Sequence, residues 1–197
     1  MINEKRRATG FKVSPKDQEY FESLKQGYFS KSGSVQAWKD TIAPLLQSPT
    51  VTWLLTLAIG SLLREQLGFL NGTLVHLHAP DGASKTQALQ IMVSLRADPH
   101  NLVWSFDELS TLKLYTAAAA NNFLCLDDVH VAIMSDDLKS GPLPEKYIQH
   151  VCNPDEPVKT TVVTASEWPL RLIAPKMADQ ILEIHAEAPG FEIWPNT

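Results

Sequence analysis

The most hydrophobic stretch of the chain, Val51 to Leu63, runs for thirteen residues before Arg64-Glu65 stops it. A membrane-spanning helix needs about 20 such residues, so this one is too short to cross a bilayer. The pattern around it predicts a helix from about Pro49 to Gln66, started by Ser48 or Thr50 and stopped by Gly68. Its apolar residues cover most of the circumference, which predicts deep burial. Ahead of it the pattern predicts a helix from about Val35 to Leu46, entered through the linker Ser30-Lys-Ser-Gly-Ser34, and a short helix at Lys16–Lys25.

After the Asn71-Gly72 turn the texture changes to alternating strands and helices. Strands are predicted at Thr73–Ala79, Val103-Trp104, Phe123–Leu126, Thr160–Thr164 and Gln180–His185. Helices are predicted at Ser84–Leu95, Glu108–Ala120 and Pro144–Cys152, with a loop at Pro80–Ala83. Such alternation predicts an α/β sandwich around a mainly parallel sheet, preceded by a helical lead-in. Two units follow from the texture: a basic N-terminal arm or small module over 1–33, and one α/β domain over 34–197.

Charge supports that division. Residues 1–40 carry a net charge of +3 and residues 41–197 a net −8, within a chain of 197 residues whose total is −5. A basic arm on an acidic body can touch nucleic acid, although a solvated terminus is the plainer reading. The two cysteines, Cys125 and Cys152, make neither a disulfide framework nor a zinc site, and Cys125 lies inside an apolar run, as a buried thiol would. The first residues are polar with no apolar core behind them, unlike a signal peptide, so a cytoplasmic protein is expected.

The chemistry concentrates in two places. The strand entering Ala79-Pro-Asp-Gly-Ala-Ser-Lys85-Thr86, followed by a helix, has the layout of a phosphate-binding loop. There the backbone amides and the positive helix end cradle phosphates, the lysine reaches the β- and γ-phosphates, and the hydroxyl binds Mg²⁺. The usual pattern G-x-x-x-x-G-K-[ST] is eroded: its flanking glycines are Ala79 and Ser84, and only the internal Gly82 remains. The second place is Phe123-Leu-Cys-Leu-Asp127-Asp128, an apolar strand ending in an acidic pair 42 residues after Lys85. In P-loop ATPases the first acid of such a pair holds Mg²⁺ and the second orients the attacking water. Asp128 stands where Glu is commoner, one methylene shorter. The two motifs in this order specify a P-loop NTPase three-layer sandwich. The expected nucleotide-binding residues are Asp81, Gly82, Ala83, Ser84, Lys85 and Thr86, with Thr86 and Asp127 at the metal.

The order of motifs resembles the family catalogued as domain of unknown function 927, helicase-like P-loop ATPases of phages, plasmids and mobile genomic islands. The resemblance is carried by the strand–loop–helix, Trp104, the alanine-rich helix, Leu-Asp-Asp and Thr164-Ala-Ser-Glu167, and it covers roughly residues 35–187. It implies a hexameric ATPase of the helicase class, using ATP and Mg²⁺ and acting on single-stranded DNA in the replication of a mobile element. It further implies that Thr164 or Ser166 senses the γ-phosphate, beside Asp128 as the water-orienting residue. The family's arginine near the last strand is matched here by Gln180, with Arg171 and Lys176 as nearby cations. The eroded glycines, Asp128 and the missing arginine leave a second expectation open: a non-hydrolysing relative serving as an assembly or DNA-binding module.

Other residues invite blander readings. His76 and His78 share one face of a strand without an evident third ligand, so bonding within the sheet is expected rather than metal binding. His130 reads as a loop histidine. Trp104, Trp168 and Trp194 lack clustered basic residues, which favours core or interface packing over base stacking.

Overall fold

The computed structural model describes residues 15, 18–28, 33–64, 66–68, 73–80, 84–101, 103–104, 109–120, 122–127, 143–153, 158–173, 175, 179 and 181–185. Four helical segments lead in. Helix α1 spans Gln18–Tyr28, and α2 spans Val35–Ile42, with the Ser34 hydroxyl accepting from the Ala37 amide at 3.1 Å as its N-cap. A 3-10 turn, Ala43–Gln47, follows, and then α3, Pro49–Leu63. The single helix expected over Val35–Leu46 is therefore broken. Pro44 lacks the N–H that an α-helical interior needs, and the chain tightens into the 3-10 turn there. Ser48 rather than Thr50 caps α3.

A five-stranded sheet then forms from β1 (Thr73–His78), β2 (Val103–Trp104), β3 (Asn122–Asp127), β4 (Thr160–Ser166) and β5 (Ile181–His185). Its order is β2-β3-β4-β1-β5 and every pairing is parallel. Helices α4 (Lys85–Val93), α5 (Leu109–Ala118), α6 (Leu143–Val151) and the short α7 (Leu170–Ile173) lie between the strands in the chain. Parallel strands need such crossovers, and the helices cover the sheet.

The layers follow from alternation along each strand. Val75, Leu77, Cys125, Val163 and Ala165 pack with α3 and α4 on one face. Leu74, Leu124, Leu126 and Val162 pack with α5 and α6 on the other. The register Leu126↔Thr164 and His76↔Thr164 assigns every other strand residue to one face or the other. Complete burial raises the pKa of the Cys125 thiol, as its apolar neighbours predict.

Helix α3 departs from its expected deep burial. Val51, Leu54, Leu55 and Ala58 are buried, while Trp53, Ile59 and Leu63 are exposed at 37%, 47% and 46%. It lies against the sheet on one side only. Arg64, which ends the apolar run, is itself buried. Its guanidinium donates to the Thr161 hydroxyl, which bonds Ser61 Oγ at 2.7 Å, tying the end of α3 to β4. Among the described residues no helix is long and apolar enough to cross a membrane.

Candidate nucleotide site

The end of β1 delivers the chain to the site. Past His78, the Ala79 amide donates to the Ser166 carbonyl at 3.3 Å, so the exit of β1 is fastened to the end of β4. Ala79, at the first lost glycine, is buried in the core beside α3 and α4, where its methyl contributes packing. Asp81, Gly82 and Ala83 lie outside the described residues. The chain is described again at Ser84, the second lost glycine, which takes the left-handed conformation at φ 57° and ψ 27°. A side chain there costs roughly 1–2 kcal/mol relative to ordinary helical backbone, because Cβ crowds the following carbonyl. It is the one non-glycine residue with positive φ among those described. The backbone at Ser84 thus has a conformation that favours glycine, at the position where the phosphate-loop pattern has one. Strain of this kind gathers at functional sites.

Helix α4 begins at once with Lys85 and Thr86. Lys85 is buried and its Nζ donates to the carbonyls of Ala79 at 2.9 Å and Pro80 at 3.0 Å. The ammonium thus folds back over the start of its own loop. Thr86 Oγ1 donates to Asp127 Oδ2 at 2.5 Å, a charge-assisted bond across 41 residues of sequence. Asp127 is the last residue of β3 and is only 1% exposed. The structure therefore brings Ser84, Lys85, Thr86 and Asp127 together, while Asp128 lies outside the described residues.

Thr164 and Ser166 are not brought to that group. Their side chains face the α5–α6 layer, the opposite side of the sheet from Asp127, and both bond to His76. The Thr164 hydroxyl lies 2.7 Å from His76 Nδ1, and His76 Nε2 lies 2.9 Å from the Trp168 carbonyl and 3.2 Å from Ser166 Oγ. A carbonyl only accepts, so the ring carries its proton on Nε2 and accepts from Thr164 at Nδ1. Ser166 Oγ donates in turn to the Trp168 carbonyl at 2.7 Å. Burial lowers the His76 pKa to about 4, against weaker raising influences from the Trp168 backbone and Glu183, so the ring is neutral at pH 7. Bonding within the sheet, expected for this histidine, is what the structure contains.

Sequence reading missed the partner of His78. His185 on β5 stacks on it with ring centroids 4.8 Å apart and planes 6° from parallel. Strand order brings these rings together from more than 100 residues apart, so no local signal announces the contact. Among the described residues, no group of three or more His, Cys, Asp or Glu is arranged to hold a metal ion. Trp168, expected in a core or an interface, is 58% exposed and is no core residue in this chain. Arg171, a candidate for the missing arginine, pairs instead with Glu183, Nε to Oε2 at 3.4 Å. Gln180, Lys176, His130 and Trp194 lie outside the described residues, as does the side chain of Trp104.

No family model and no curated protein matches the chain, so the family resemblance carries no membership. A solved structure of "SCCmec type IV Cch - active helicase" matches with a TM-score of 0.54 at 15% identity. The match covers 80% of this chain and 32% of that one, so this chain spans about a third of the length of its structural relative. At that identity the likeness shows fold alone. The fold is that of a P-loop NTPase, a three-layer α/β sandwich around a parallel sheet with a helical lead-in.

Proposed function

We propose that this domain binds a nucleoside triphosphate with a divalent cation, ATP with Mg²⁺, and works as a helicase-like motor domain on DNA in the replication of a mobile genetic element. The observation that supports nucleotide binding most is the 2.5 Å bond between Thr86 and Asp127 beside the buried Lys85. It joins the two sequence motifs at one point. The hydroxyl and carboxylate are hard oxygen donors, and they suit a cation that takes one or two carboxylates and keeps waters and phosphate oxygens as its other ligands. Bound there, Mg²⁺ supplies positive charge against the phosphate oxygens.

The chain's own residues then divide the work. Lys85 exchanges the carbonyls of Ala79 and Pro80 for β- and γ-phosphate oxygens. The amides from Asp81 to Thr86 complete the cradle at the positive end of α4. Asp128 orients the attacking water. The γ-phosphate-sensing role that the resemblance implies for Thr164 or Ser166 is not part of this reading, because both hydroxyls bond His76 on the face of the sheet away from Asp127. A nucleic-acid partner is supported by the helicase whose fold this chain shares; that it is single-stranded DNA, and that the domain forms a homo-hexameric ring, rest on the family resemblance alone.

A second reading keeps the binding and drops the chemistry. Gln180 stands where the resembling family has an arginine, and an arginine finger is worth roughly 10³–10⁵ in rate. Arg171, one of the nearby cations, pairs with Glu183. The domain then serves as an assembly or DNA-binding module. Steady-state ATP turnover, with and without single-stranded DNA, separates the readings. The motor predicts DNA-stimulated turnover that Lys85→Ala abolishes. Binding without turnover selects the module, and no binding at millimolar ATP removes both.

A further inference from the structure

Helix α3 packs one side on the core and turns a second apolar side outward. Trp53, Ile59 and Leu63 are exposed at 37%, 47% and 46%, and Leu67 in the following turn at 59%. The Leu67 amide donates to the Leu63 carbonyl at 2.9 Å, so that turn carries the outward side onward. Trp53, Thr56, Gly60, Leu63 and Leu67 are all exposed and follow one another at spacings of three, four, three and four residues. That is the seam by which one helix lies lengthwise along another, here about 21 Å long at about 1.5 Å per residue.

Two further features say what lies along it. From Thr41 to Leu63 no residue carries a charge, while the chain as a whole carries −5. Two copies of an acidic chain repel one another, and least where they meet through an uncharged side. Gly60 stands at the middle of the seam, seven residues from both Trp53 and Leu67. A Cβ at Gly60 would meet nothing within 4 Å, so packing inside the chain does not require glycine where glycine weakens a helix. A second backbone crossing at Gly60 accounts for it, because the absent side chain lets two helices approach closely.

We infer that this side of α3 is a self-association surface, along which a second copy of the chain lies antiparallel about a two-fold axis at Gly60. Trp53 of each copy then meets the partner's Leu67, and the two Ile59 side chains lie beside the axis and so beside each other. The four large side chains expose roughly 400 Å² between them, at about 200 Å² for each when fully exposed. A stable interface buries about 800 Å² on each partner, so this contact makes a dimer at high concentration and not an obligate one. The seam does not suit a lipid surface, because helices that lie on membranes carry Lys or Arg along their polar side and α3 has neither. The surface is independent of the nucleotide-binding reading. It closes at two copies, unlike the head-to-tail contacts of a ring.

The test is the mass of the full chain by sedimentation equilibrium from about 10 μM to about 1 mM, the range of so small a contact. Wild type is expected to pass from monomer to dimer across that range. Ile59→Lys and Ile59→Glu should each weaken association by about tenfold or more, through like charges brought together. An equal mixture of the two variants should associate again, because a residue beside a two-fold axis meets its own counterpart. Gly60→Leu should raise the melting temperature of the monomer, Leu being the better helix former, and yet weaken the dimer by about tenfold or more. A role confined to the helix itself predicts no such opposition. The inference is overturned if wild type stays monomeric at about 1 mM, whether free or sedimenting with phosphatidylcholine vesicles instead. It is equally overturned if association survives Ile59→Lys, if the mixture fails to associate, or if the mass climbs past the dimer.

Discussion

The ends of β1 and β4 present two polar clusters on opposite faces of the same sheet, and the clusters are built differently. On the α5–α6 side, His76 uses both ring nitrogens on Thr164, Ser166 and the Trp168 carbonyl, all supplied by β4 and the turn after it. On the α3–α4 side, Lys85 rests on two loop carbonyls, Thr86 on Asp127, and Ser84 sits in a conformation that suits glycine. The first cluster is a brace whose members bond one another and the β1 backbone. The second consists of contacts that, on the proposed reading, an incoming anion and cation replace. The difference teaches that strand ends alone do not mark a ligand site. What marks it is whether the polar groups there have partners they can exchange.

Breaking the brace has the largest expected effect. His76→Ala removes a buried ring, leaving Thr164 only its 3.3 Å bond to the Val75 carbonyl and the Trp168 carbonyl only its bond from Ser166, and should lower unfolding free energy by about 2–4 kcal/mol in urea titration. Tripolyphosphate affinity of the folded fraction should change by less than about twofold, the worth of a weak hydrogen bond. The same ring makes stability pH-dependent. Its pKa falls from 6.5 to about 4 on folding, so between those values the unfolded chain holds a proton that the folded chain refuses. The contribution is complete above pH 6.5 and is lost as pH falls toward 4, by at most about 3 kcal/mol. Burial moves the pKa of His78 in the same direction, so it adds to the loss. His76→Asn should flatten the profile across that window in melts at stepped pH.

Lys85→Ala sharpens the contrast from the other face. Nucleotide affinity should drop roughly 10- to 100-fold, the worth of charge-assisted hydrogen bonds, while the melting temperature moves little. The smallest effects come from the two lost glycines, and they should have opposite signs. Ser84→Gly removes the left-handed strain and should stabilise by about 1 kcal/mol. Ala79→Gly removes a buried methyl and frees the unfolded backbone, and should destabilise by about 1 kcal/mol. Equal effects at the two positions would mean that the loop's backbone is not what the strain at Ser84 indicates.

The reconfigurable face was the more legible one. Lys85-Thr86 after a strand and Asp127 at the end of another are local patterns, and their spacing foretold that they meet. The brace was not legible, because which face Thr164 and Ser166 point to depends on the register of β4 against β1 and β3. A shift of one residue exchanges the two faces. Local sequence does not encode that shift, and the order of motifs alone groups the two hydroxyls with the phosphates, as the family resemblance implies. Helix α3 misled for a related reason. Apolar residues all round a helix predict burial, but the sheet and α4 cover one side of it and leave Trp53, Ile59 and Leu63 exposed. The pairing of His185 with His78 and the burial of Arg64 under β4 depend on strand order and helix placement in the same way.

The central claim is that Thr86 and Asp127 form one cation-dependent phosphate site with Lys85. Calorimetric titration with ATP, in the presence and absence of Mg²⁺, tests it most directly when wild type is compared with the near-isosteric Thr86→Val. The account predicts that Mg²⁺ tightens wild-type binding by about tenfold or more, a charge-assisted contribution of roughly 1.5–3 kcal/mol, and that Thr86→Val loses that gain while keeping the metal-free affinity. Binding that ignores both Mg²⁺ and the loss of the Thr86 hydroxyl would contradict it.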